Sequence, residues 1–453
     1  MSKIKKTLDF IFEPTFKFKM KTYLSLLSLA LLLAFSLSDC QQKTTEDNEK
    51  KDSEITNHDL PWLQSAVIYE VNLRQFSSSG NFKGLAERLD TLKNLGVDIL
   101  SFSIIQPVAK GSRNFITDFK AVNPDLGTMD DFRNLIEKCH EKKFKVIINW
   151  DGNYISEESK LSKEHPQWFI DKEKTKSSQI LVGGHCFNYA NEEVKSFMTD
   201  VMKWWIDESD IDGFNCENSE FPNTFWNAAI QELNQTKKVL MVSKTEQKGD
   251  ANNSFNLSYA NEFNKLLGSI FKLEKNTDSL INYFTKTKND ELKLNYLTNF
   301  GEASDAFKAL SFTIQGLPLI MNGTEVGFNL KENETINWNQ PNAAKQIEFY
   351  KTLISIRHKN PALWNNVDGQ TNTRVFKSTK EIYAFIKQSG QNKVFVVLNL
   401  SNKTVQMDAL EIPGLEQYSL RLYKDLKTDG VHLYELGPWG YSISTLNEPN
   451  EHE

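Results

Sequence analysis

The chain has 453 residues, of which 39% are hydrophobic and 25% are charged, as in an ordinary folded globular protein. This composition excludes a disordered or collagen-like chain, and the length is enough for one large domain and a smaller one. The net charge of −6 and the pI near 5.8 provide no basic surface for nucleic acid. We therefore expect no nucleic-acid partner.

Residues 1–40 have the features of a targeting segment. From Met20 the sequence reads "MKTYLSLLSLALLLAFSLSDC", a lysine followed by an apolar run and then by small residues before Cys40. The tetrapeptide "LSDC" resembles a lipobox, although its aspartate is unusual. We predict a lipoprotein signal with its start at Met20, lipidation of Cys40, a flexible tether over 41–60 and an outer-membrane location.

The other cysteines are Cys139, Cys186 and Cys216, which lie far apart and show no C-x-x-C spacing. An odd number at such spacing indicates neither a zinc site nor a disulfide framework. We expect free, mostly buried thiols, and we expect no metal and no cofactor.

Short apolar runs alternate with amphipathic helical stretches from residue 61 to residue 363. The runs are "AVIYEVN", "DILSFSII", "KVIINW", "IDGFNCEN", "VLMVSK", a weak "FNLSY", "LNYLTNF" and "PLIMNG". Eight such βα units predict a closed parallel (β/α)8 barrel, although periodicity alone leaves an open doubly wound sheet possible.

The pattern changes in residues 364–453. Runs such as "EIYAFIKQ", "KVFVVLNLS" and "GYSISTL" alternate apolar and polar residues with period two. This alternation predicts a small antiparallel β-sandwich domain. In barrels, functional groups lie where strands end, which directs attention to the residues that follow each predicted strand: Asn72, Asn149 to Tyr154, Asn215 to Asn218, Lys244 to Glu246, and Asn299 to Glu302.

Three stretches carry a resemblance to the α-amylase family, glycoside hydrolase family 13, and in particular to amylase-like lipoproteins of Bacteroidetes. They are "AVIYEVNLRQFSSSGNFKGLAERLDTLKNLGVDIL", "DFKAVNPDLGTMDDFRNLI" and "SFTIQGLPLIMNGTEVGF". They resemble the first strand and helix, the loop after the second strand, and the last strand with its loop. The resemblance implies the barrel fold and a role in α-glucan metabolism.

Retaining glycosidases of this kind use two carboxylic groups about 5–5.5 Å apart. The family nucleophile is an Asp in an R-x-D segment that ends the fourth strand, and the matching residues here are Asn215, Cys216 and Glu217. The resemblance thus places Glu217 at the nucleophile position with one methylene too many. The Arg that should orient this carboxylate is replaced by Asn215.

The family's general acid is a Glu in a stretch like "MLAEGE", which aligns with "MVSKTE" (241–246). Lys244 therefore occupies the acid position, and a lysine ammonium is a poor proton donor to a glycosidic oxygen at neutral pH. Glu246 is a weaker alternative for the role. Because the fourth and fifth strands are neighbours in a barrel, we expect Glu217 and Lys244 to form an ion pair.

The resemblance implies that most other substrate-contacting positions of the family have changed as well. At the third strand Asn149 and Tyr154 replace the family's Asp and His, while Asn153 matches its Asn. At the seventh strand Phe300 and Gly301 replace the His and Asp that follow the Asn at Asn299, and Asn114 beside Arg113 replaces a Tyr. Substitutions at so many site positions within a preserved scaffold indicate that hydrolysis has been lost. The candidate substrate-binding residues are Asn149, Trp150, Tyr154, Asn215, Asn299 and Phe300, with Phe221 as a further aromatic.

Three functions remain open from the sequence. The first is an inactive, glucan-binding or accessory lipoprotein that uses an aromatic-lined cleft. The second is an active hydrolase rebuilt around Glu217 with Glu246 or Glu302. The third is an interaction scaffold at the membrane.

Overall fold

The computed structural model describes residues 60–112, 115–170, 183–217, 223–246, 255–287, 292–328, 334–365, 367, 370–374, 380–407, 417–428 and 434–446. Among these residues no helix combines the length and the apolar character needed to cross a bilayer. The signal, Cys40 and residues 41–59 of the predicted tether lie outside the described residues, whereas Leu60, assigned to the tether, is buried at 3% exposure.

Eight parallel strands close into a barrel, which confirms the predicted fold and excludes the open sheet. The strand order around the barrel is β1, β10, β9, β8, β7, β6, β3 and β2. Their bounds are β1 Ile68–Val71, β2 Ile99–Phe102, β3 Lys145–Trp150, β6 Gly213–Cys216, β7 Leu240–Ser243, β8 Leu257–Tyr259, β9 Lys293–Asn295 and β10 Leu317–Ile320. A two-stranded sheet, β4 Tyr154–Ser156 and β5 Gly184–Cys186, stands in the loop after β3.

Helices surround the barrel in the positions that the amphipathic stretches predict. They are α1 Leu73–Phe76, α2 Phe82–Ala86, α3 Leu89–Leu95, α4 Met129–Glu141, α5 Lys160–Glu164, α6 Glu192–Ser209, α7 Asn223–Thr236, α8 Asn261–Phe271, α9 Thr277–Lys286, α10 Ser304–Thr313 and α11 Ala343–Lys359. Local sequence fixes several starts: Thr128 and Asp131 form a capping box at α4, and Asn191 caps α6.

Strand alternation separates two apolar layers. Side chains such as Ile68, Ile147 and Leu240 fill the barrel interior, whereas Val71, Ile148 and their equivalents pack outward against the helices. Gly213 opens β6 with a φ of +154°, and a Cβ atom there would lie 1.9 Å from the carbonyl oxygen of Leu240. The close approach of β6 to β7 therefore requires glycine directly before the segment that carries Glu217.

The C-terminal strands form one six-stranded sheet that pairs antiparallel throughout. The long β16 pairs with β13, β14 and β15 and so links the described strands, and the predicted antiparallel C-terminal β domain is confirmed. The strands are β11 Thr371–Arg374, β12 Ile382–Ser389, β13 Asn392–Asn399, β14 Val405–Met407, β15 Ser419–Thr428 and β16 Tyr434–Leu446.

One face of this sheet packs on the barrel. Phe385 and Val396 belong to the same buried cluster as the outward-facing barrel residues. Arg357 of α11, fully buried, donates to the backbone carbonyls of Ser65, Leu363 and Gly316 and so ties the chain segments at the base of the seam. Burial lowers the pKa of this guanidinium to about 10.

Candidate functional site

The carboxyl ends of β1, β2, β3, β6 and β7 enclose a cavity of about 530 Å³, which we call the mouth cavity. Its described lining is mainly polar and includes Glu70, Asn72, Ser101, Asn149, Asn215, Glu217 and Lys244. The strand ends of a parallel barrel meet at one face, so residues distant in the sequence converge here.

Glu217 and Lys244 form an ion pair at this mouth, as the sequence predicts. The Lys244 ammonium donates to Oε1 of Glu217, and Asn149 Nδ2 donates to the same oxygen at 2.9 Å. The Lys244 side chain has 26% of its surface exposed, and the Glu217 side chain has 32%. The carboxylate of Glu217 is thus neutralised and held from two sides.

Asn215 lies in the same layer as Asn149, since the two residues pair in register between β6 and β3. Its Nδ2 donates to Tyr259 Oη at 3.0 Å and to Ser101 Oγ at 3.2 Å. The side-chain oxygens of Asn149 and Asn215 accept no hydrogen bond from the described residues. Asn149 and Asn215, both predicted to bind substrate, thus each present an unused hydrogen-bond acceptor at the wall of the mouth cavity.

Sequence reasoning missed Glu70. It lies on β1 two residues after Ile68, so it points into the barrel one layer above the apolar interior and lines the mouth cavity. Burial raises the pKa of its carboxyl, with Lys244 lowering it and Glu217 raising it to smaller extents. The period-two alternation of "IYEV" places Glu70 on the same face of β1 as Ile68, but alternation alone does not say which face points into the barrel.

Asp151 follows β3 and is 7% exposed. Burial raises the pKa of its carboxyl to about 6, although the backbone N–H of Asn153 donates to Oδ1 at 3.2 Å. The negative charge of Glu217 also raises this pKa. Asp151 is therefore a second carboxyl group with a raised pKa near the mouth, separate from the paired Glu217.

Two predicted aromatic contacts are wrong. Trp150 is 1% exposed because it occupies an outward position of β3, where it packs on Phe119 and Phe214 with ring centroids 5.8 Å away in each case. Phe300 is 4% exposed and packs edge-on against Phe307. Both rings serve the packing between strands and helices. The described lining of the mouth cavity contains one aromatic ring, Phe102.

Asn299 and Tyr154 are also outside the described lining. Asn299 borders another cavity of about 420 Å³, and its Oδ1 caps the backbone N–H of Gly301 at 2.9 Å. Strand β9 ends at Asn295, so the following loop carries Asn299 away from the Glu217 region. Tyr154 starts β4 and pairs with Cys186. These residues are therefore not part of the mouth cavity as the structure has it.

The two alternative carboxylates are engaged elsewhere. Glu246 Oε2 accepts from the backbone N–H of Glu262 at 2.5 Å near the start of α8, and its Oε1 lies 3.9 Å from Lys293 Nζ. Glu302 accepts from Trp439 Nε1 at 3.1 Å and so links the barrel to the C-terminal sheet. Neither lines the mouth cavity with Glu217, which contradicts a rebuilt catalytic pair that includes either of them.

Arg113, Asn114, Asn218 and Phe221 lie outside the described residues. Cys139 and Cys216 are buried free thiols, and Cys186 is a partly exposed one. Within the part of the chain that the structure describes, no group of three or more His, Cys, Asp or Glu side chains is arranged to hold a metal ion.

A family model described as the α-amylase catalytic domain matches residues 35–180. Alpha-amylase 2 of Dictyoglomus thermophilum is 23% identical over 418 residues, which cover 77% of this chain and 72% of that protein. Two further curated relatives are matched over 51% and 38% of their own length.

Solved structures are similar over a larger share of the fold. A noncanonic maltogenic α-amylase from Thermotoga neapolitana has a TM-score of 0.73 at 19% identity, covering 85% of this chain and 100% of that one. An α-amylase from Geobacillus thermoleovorans, complexed with acarbose, has a TM-score of 0.71 at 18% identity, covering 86% and 99%. At these identities the structural likeness establishes the fold alone.

Proposed function

Because this chain is related to the α-amylase family in sequence and in fold, we propose that its barrel binds α-glucan chains at the mouth cavity without hydrolysing them. The observation that carries the proposal is the ion pair between Glu217 and Lys244. The sequence resemblance aligns these two residues with the nucleophile and the general acid of the family.

Hydrolysis by retention requires a carboxylate free to attack and an acid able to protonate the leaving oxygen. Here the carboxylate of Glu217 accepts hydrogen bonds from Lys244 and from Asn149, both of which stabilise its charge and reduce its nucleophilicity. Lys244 stands where a carboxylic acid would donate the proton, and Asn215 replaces the orienting Arg. Each of these changes removes a part of the reaction that contributes orders of magnitude in rate.

Glucan binding is supported by the size and the chemistry of the cavity. Its volume of about 530 Å³ falls within the range of roughly 300–1,000 Å³ that is usual for small-molecule sites. Amide and hydroxyl groups from Asn72, Ser101, Asn149 and Asn215 line it, and these groups suit sugar hydroxyls. The relative from Geobacillus binds acarbose, a ligand of the same chemical class.

A rebuilt hydrolase is the second candidate, and Glu70 is the observation that favours it. Glu70 and Glu217 line the same cavity, and Lys244 acts electrostatically on both. Glu70 with a raised pKa could supply the acid that Lys244 cannot. An interaction scaffold gains less support, since the mouth cavity is open and not plugged by the described side chains.

Binding measurements on matched variants test the proposal. Maltoheptaose is titrated into the wild-type protein, into Asn149→Ala and into Asn299→Ala, the last of which changes an amide outside the mouth cavity. We expect saturable binding that weakens about three- to tenfold in Asn149→Ala and is unchanged in Asn299→Ala. A reducing-sugar assay on the same samples should stay at the level of the buffer.

No binding of any malto-oligosaccharide would refute the glucan-binding role. Reducing ends that accumulate with the wild-type protein, and cease to do so in Glu70→Gln, would establish the rebuilt hydrolase instead.

We also propose that the protein starts at Met20 and is anchored to the outer membrane through a lipidated Cys40. The support is the lysine-led apolar run that ends in "LSDC". Metabolic labelling with a fatty-acid analogue in the native cell should mark the protein, and Cys40→Ala should remove the label. Equal labelling of the two forms would refute the anchor.

A further inference from the structure

A cavity of about 310 Å³, which we call the seam cavity, lies between the barrel and the C-terminal sheet. Tyr283 and Phe284 of α9 and Asn295 of β9 border it on the barrel side, and Thr371 and Lys387 border it on the sheet side. It is separate from the mouth cavity, with which it shares none of its described lining.

Lys387 is the unusual residue of this cavity. It follows Phe385 on the barrel-facing side of β12 and is 3% exposed. Among the described residues it has no carboxylate partner and no side-chain hydrogen bond, and the side chains that line the seam cavity include no Asp or Glu. A buried ammonium without a partner is costly, because it loses its hydration and gains nothing in return.

Positive charge adds to this cost. The fully buried Arg357 acts electrostatically on Lys387. Its guanidinium donates to backbone carbonyls, and the negative charge of Asp98 acts on it to a smaller extent than burial does. Burial, and then the charge of Arg357, lowers the pKa of Lys387 to about 7. The described residues therefore supply no counter-charge for the ammonium form of Lys387.

We propose that the seam cavity binds a small oxyanion, with phosphate or carboxylate chemistry, through the Nζ atom of Lys387. Binding couples to proton uptake, since an amine that is partly neutral near pH 7 takes a proton from solvent as the anion enters. The cavity volume exceeds that of a water molecule many times, so a polyatomic anion fits without displacement of the strand.

Other titratable groups face the cavity and define the pH response. Lys293 of β9 borders it, with its Nζ donating to Ser258 Oγ at 3.1 Å, and Tyr283 borders it from α9. Arg357 acts from α11 and stays charged throughout the accessible pH range. Lys387 is thus the group expected to change protonation around neutral pH.

Calorimetric titration of the full chain with inorganic phosphate tests the proposal. The titration is repeated at pH 7 in two buffers of different ionisation enthalpy, and the difference in observed heat gives the protons taken up on binding. Acetate and glucose 6-phosphate form parallel arms that separate carboxylate, free phosphate and phosphate-ester chemistry. Sodium chloride at equal ionic strength controls for general salt effects.

We expect saturable binding of at least one oxyanion with a fraction of a proton taken up, a fraction that shrinks towards pH 6. The variant Lys387→Met should weaken this binding at least about tenfold and abolish the proton uptake. Lys403→Met, which removes an exposed lysine from the turn between β13 and β14, should bind as the wild type does.

Lys387→Met should also raise the melting temperature in anion-free buffer, because it removes a buried amine that lacks a partner. No oxyanion binding to the wild type, or binding without proton uptake in the two buffers, would overturn the proposal whether or not the variant folds. Equal binding by Lys387→Met and the wild type would overturn it as well.

Discussion

The two ends of the barrel treat buried carboxylates in opposite ways. At the amino ends of the strands, Asp212 is 2% exposed and accepts hydrogen bonds from His140 Nε2, Lys145 Nζ and the backbone N–H of Val146, at 2.8, 2.9 and 2.9 Å. Although burial opposes its charge, these partners hold the pKa of its carboxyl well below the usual range. At the carboxyl ends, Glu70 makes no hydrogen bond to the described residues, and burial raises its pKa.

This difference between the two ends indicates that one end of the barrel stabilises the fold and the other is available for a ligand. A carboxylate that is fully paired, such as Asp212 at the amino ends of the strands, stabilises the folded state and has no hydrogen-bond acceptor left for a ligand. Among the described residues the mouth instead retains the carboxyl group of Glu70 without a hydrogen bond, two amide oxygens without donors, and the ion pair of Glu217 with Lys244. Polar groups that folding leaves unsatisfied are characteristic of the face where parallel barrels bind their ligands.

The largest effect on stability is expected for the substitution of Asp212. Asp212→Asn should lower the free energy of unfolding by about 3 kcal/mol at pH 7, because it removes a buried carboxylate that hydrogen-bonds His140 and Lys145 and lies 3.2 Å from Lys237 Nζ. Its pKa is depressed in the folded state, so this stabilisation is present above the unfolded pKa near 4 and is lost as pH falls below it. Urea denaturation at pH 7 and at pH 3 measures the difference.

Asp90→Asn is the matched control for this prediction. Asp90 pairs with Lys142 at the surface, with 79% of its side-chain surface exposed, so its change should be close to zero. If Asp212→Asn and Asp90→Asn lower the free energy of unfolding equally at pH 7, the partners of Asp212 do not stabilise the fold.

A smaller effect is expected at Asp151. Its folded pKa of about 6 exceeds the unfolded value near 4, so the native state binds more protons between these values and stability falls as pH rises through the window. Asp151→Asn cannot titrate, and its free energy of unfolding relative to the wild type should rise by about 2 kcal/mol from pH 4 to pH 7. Parallel pH dependence of the two proteins would show that Asp151 ionises without cost.

The smallest effect concerns the pair at the mouth. Lys244→Met leaves Glu217 without its counter-charge, whereas Lys244→Met combined with Glu217→Gln removes both charges, so the double variant should recover much of the loss. We expect a coupling energy of about 1 kcal/mol from the double-mutant cycle, reduced by the partial exposure of both side chains. The exposed pair Lys203 and Glu232 should give a smaller value. A coupling near zero at the mouth would contradict the account of this pair.

The sequence alone was sufficient to predict the barrel and the ion pair between Glu217 and Lys244. Strand β3 has the predicted bounds, and strand order alone places neighbouring strand ends together. It was not sufficient for the direction of individual side chains: Trp150 ends a strand but faces the helices, whereas Glu70 is in a strand interior and faces the cavity. A shift of one residue reverses the face, and this parity depends on packing that a single sequence does not reveal.

Lys387 illustrates the same limit in the C-terminal sheet. In "EIYAFIKQ" the lysine shares the period-two face of Tyr383 and Phe385, and this face of β12 packs on the barrel. Burial of this side chain follows from the contact between the sheet and the barrel, which has no local signal in the sequence.

The central claim, that the mouth binds α-glucan without cleaving it, can be tested most directly in one calorimeter cell. Maltoheptaose is injected into the full chain, and both the binding heat and the baseline power after each injection are recorded. The account predicts saturable heat with a baseline that returns to its starting value. A baseline displaced by continuous turnover, and restored by Glu217→Gln, would contradict it.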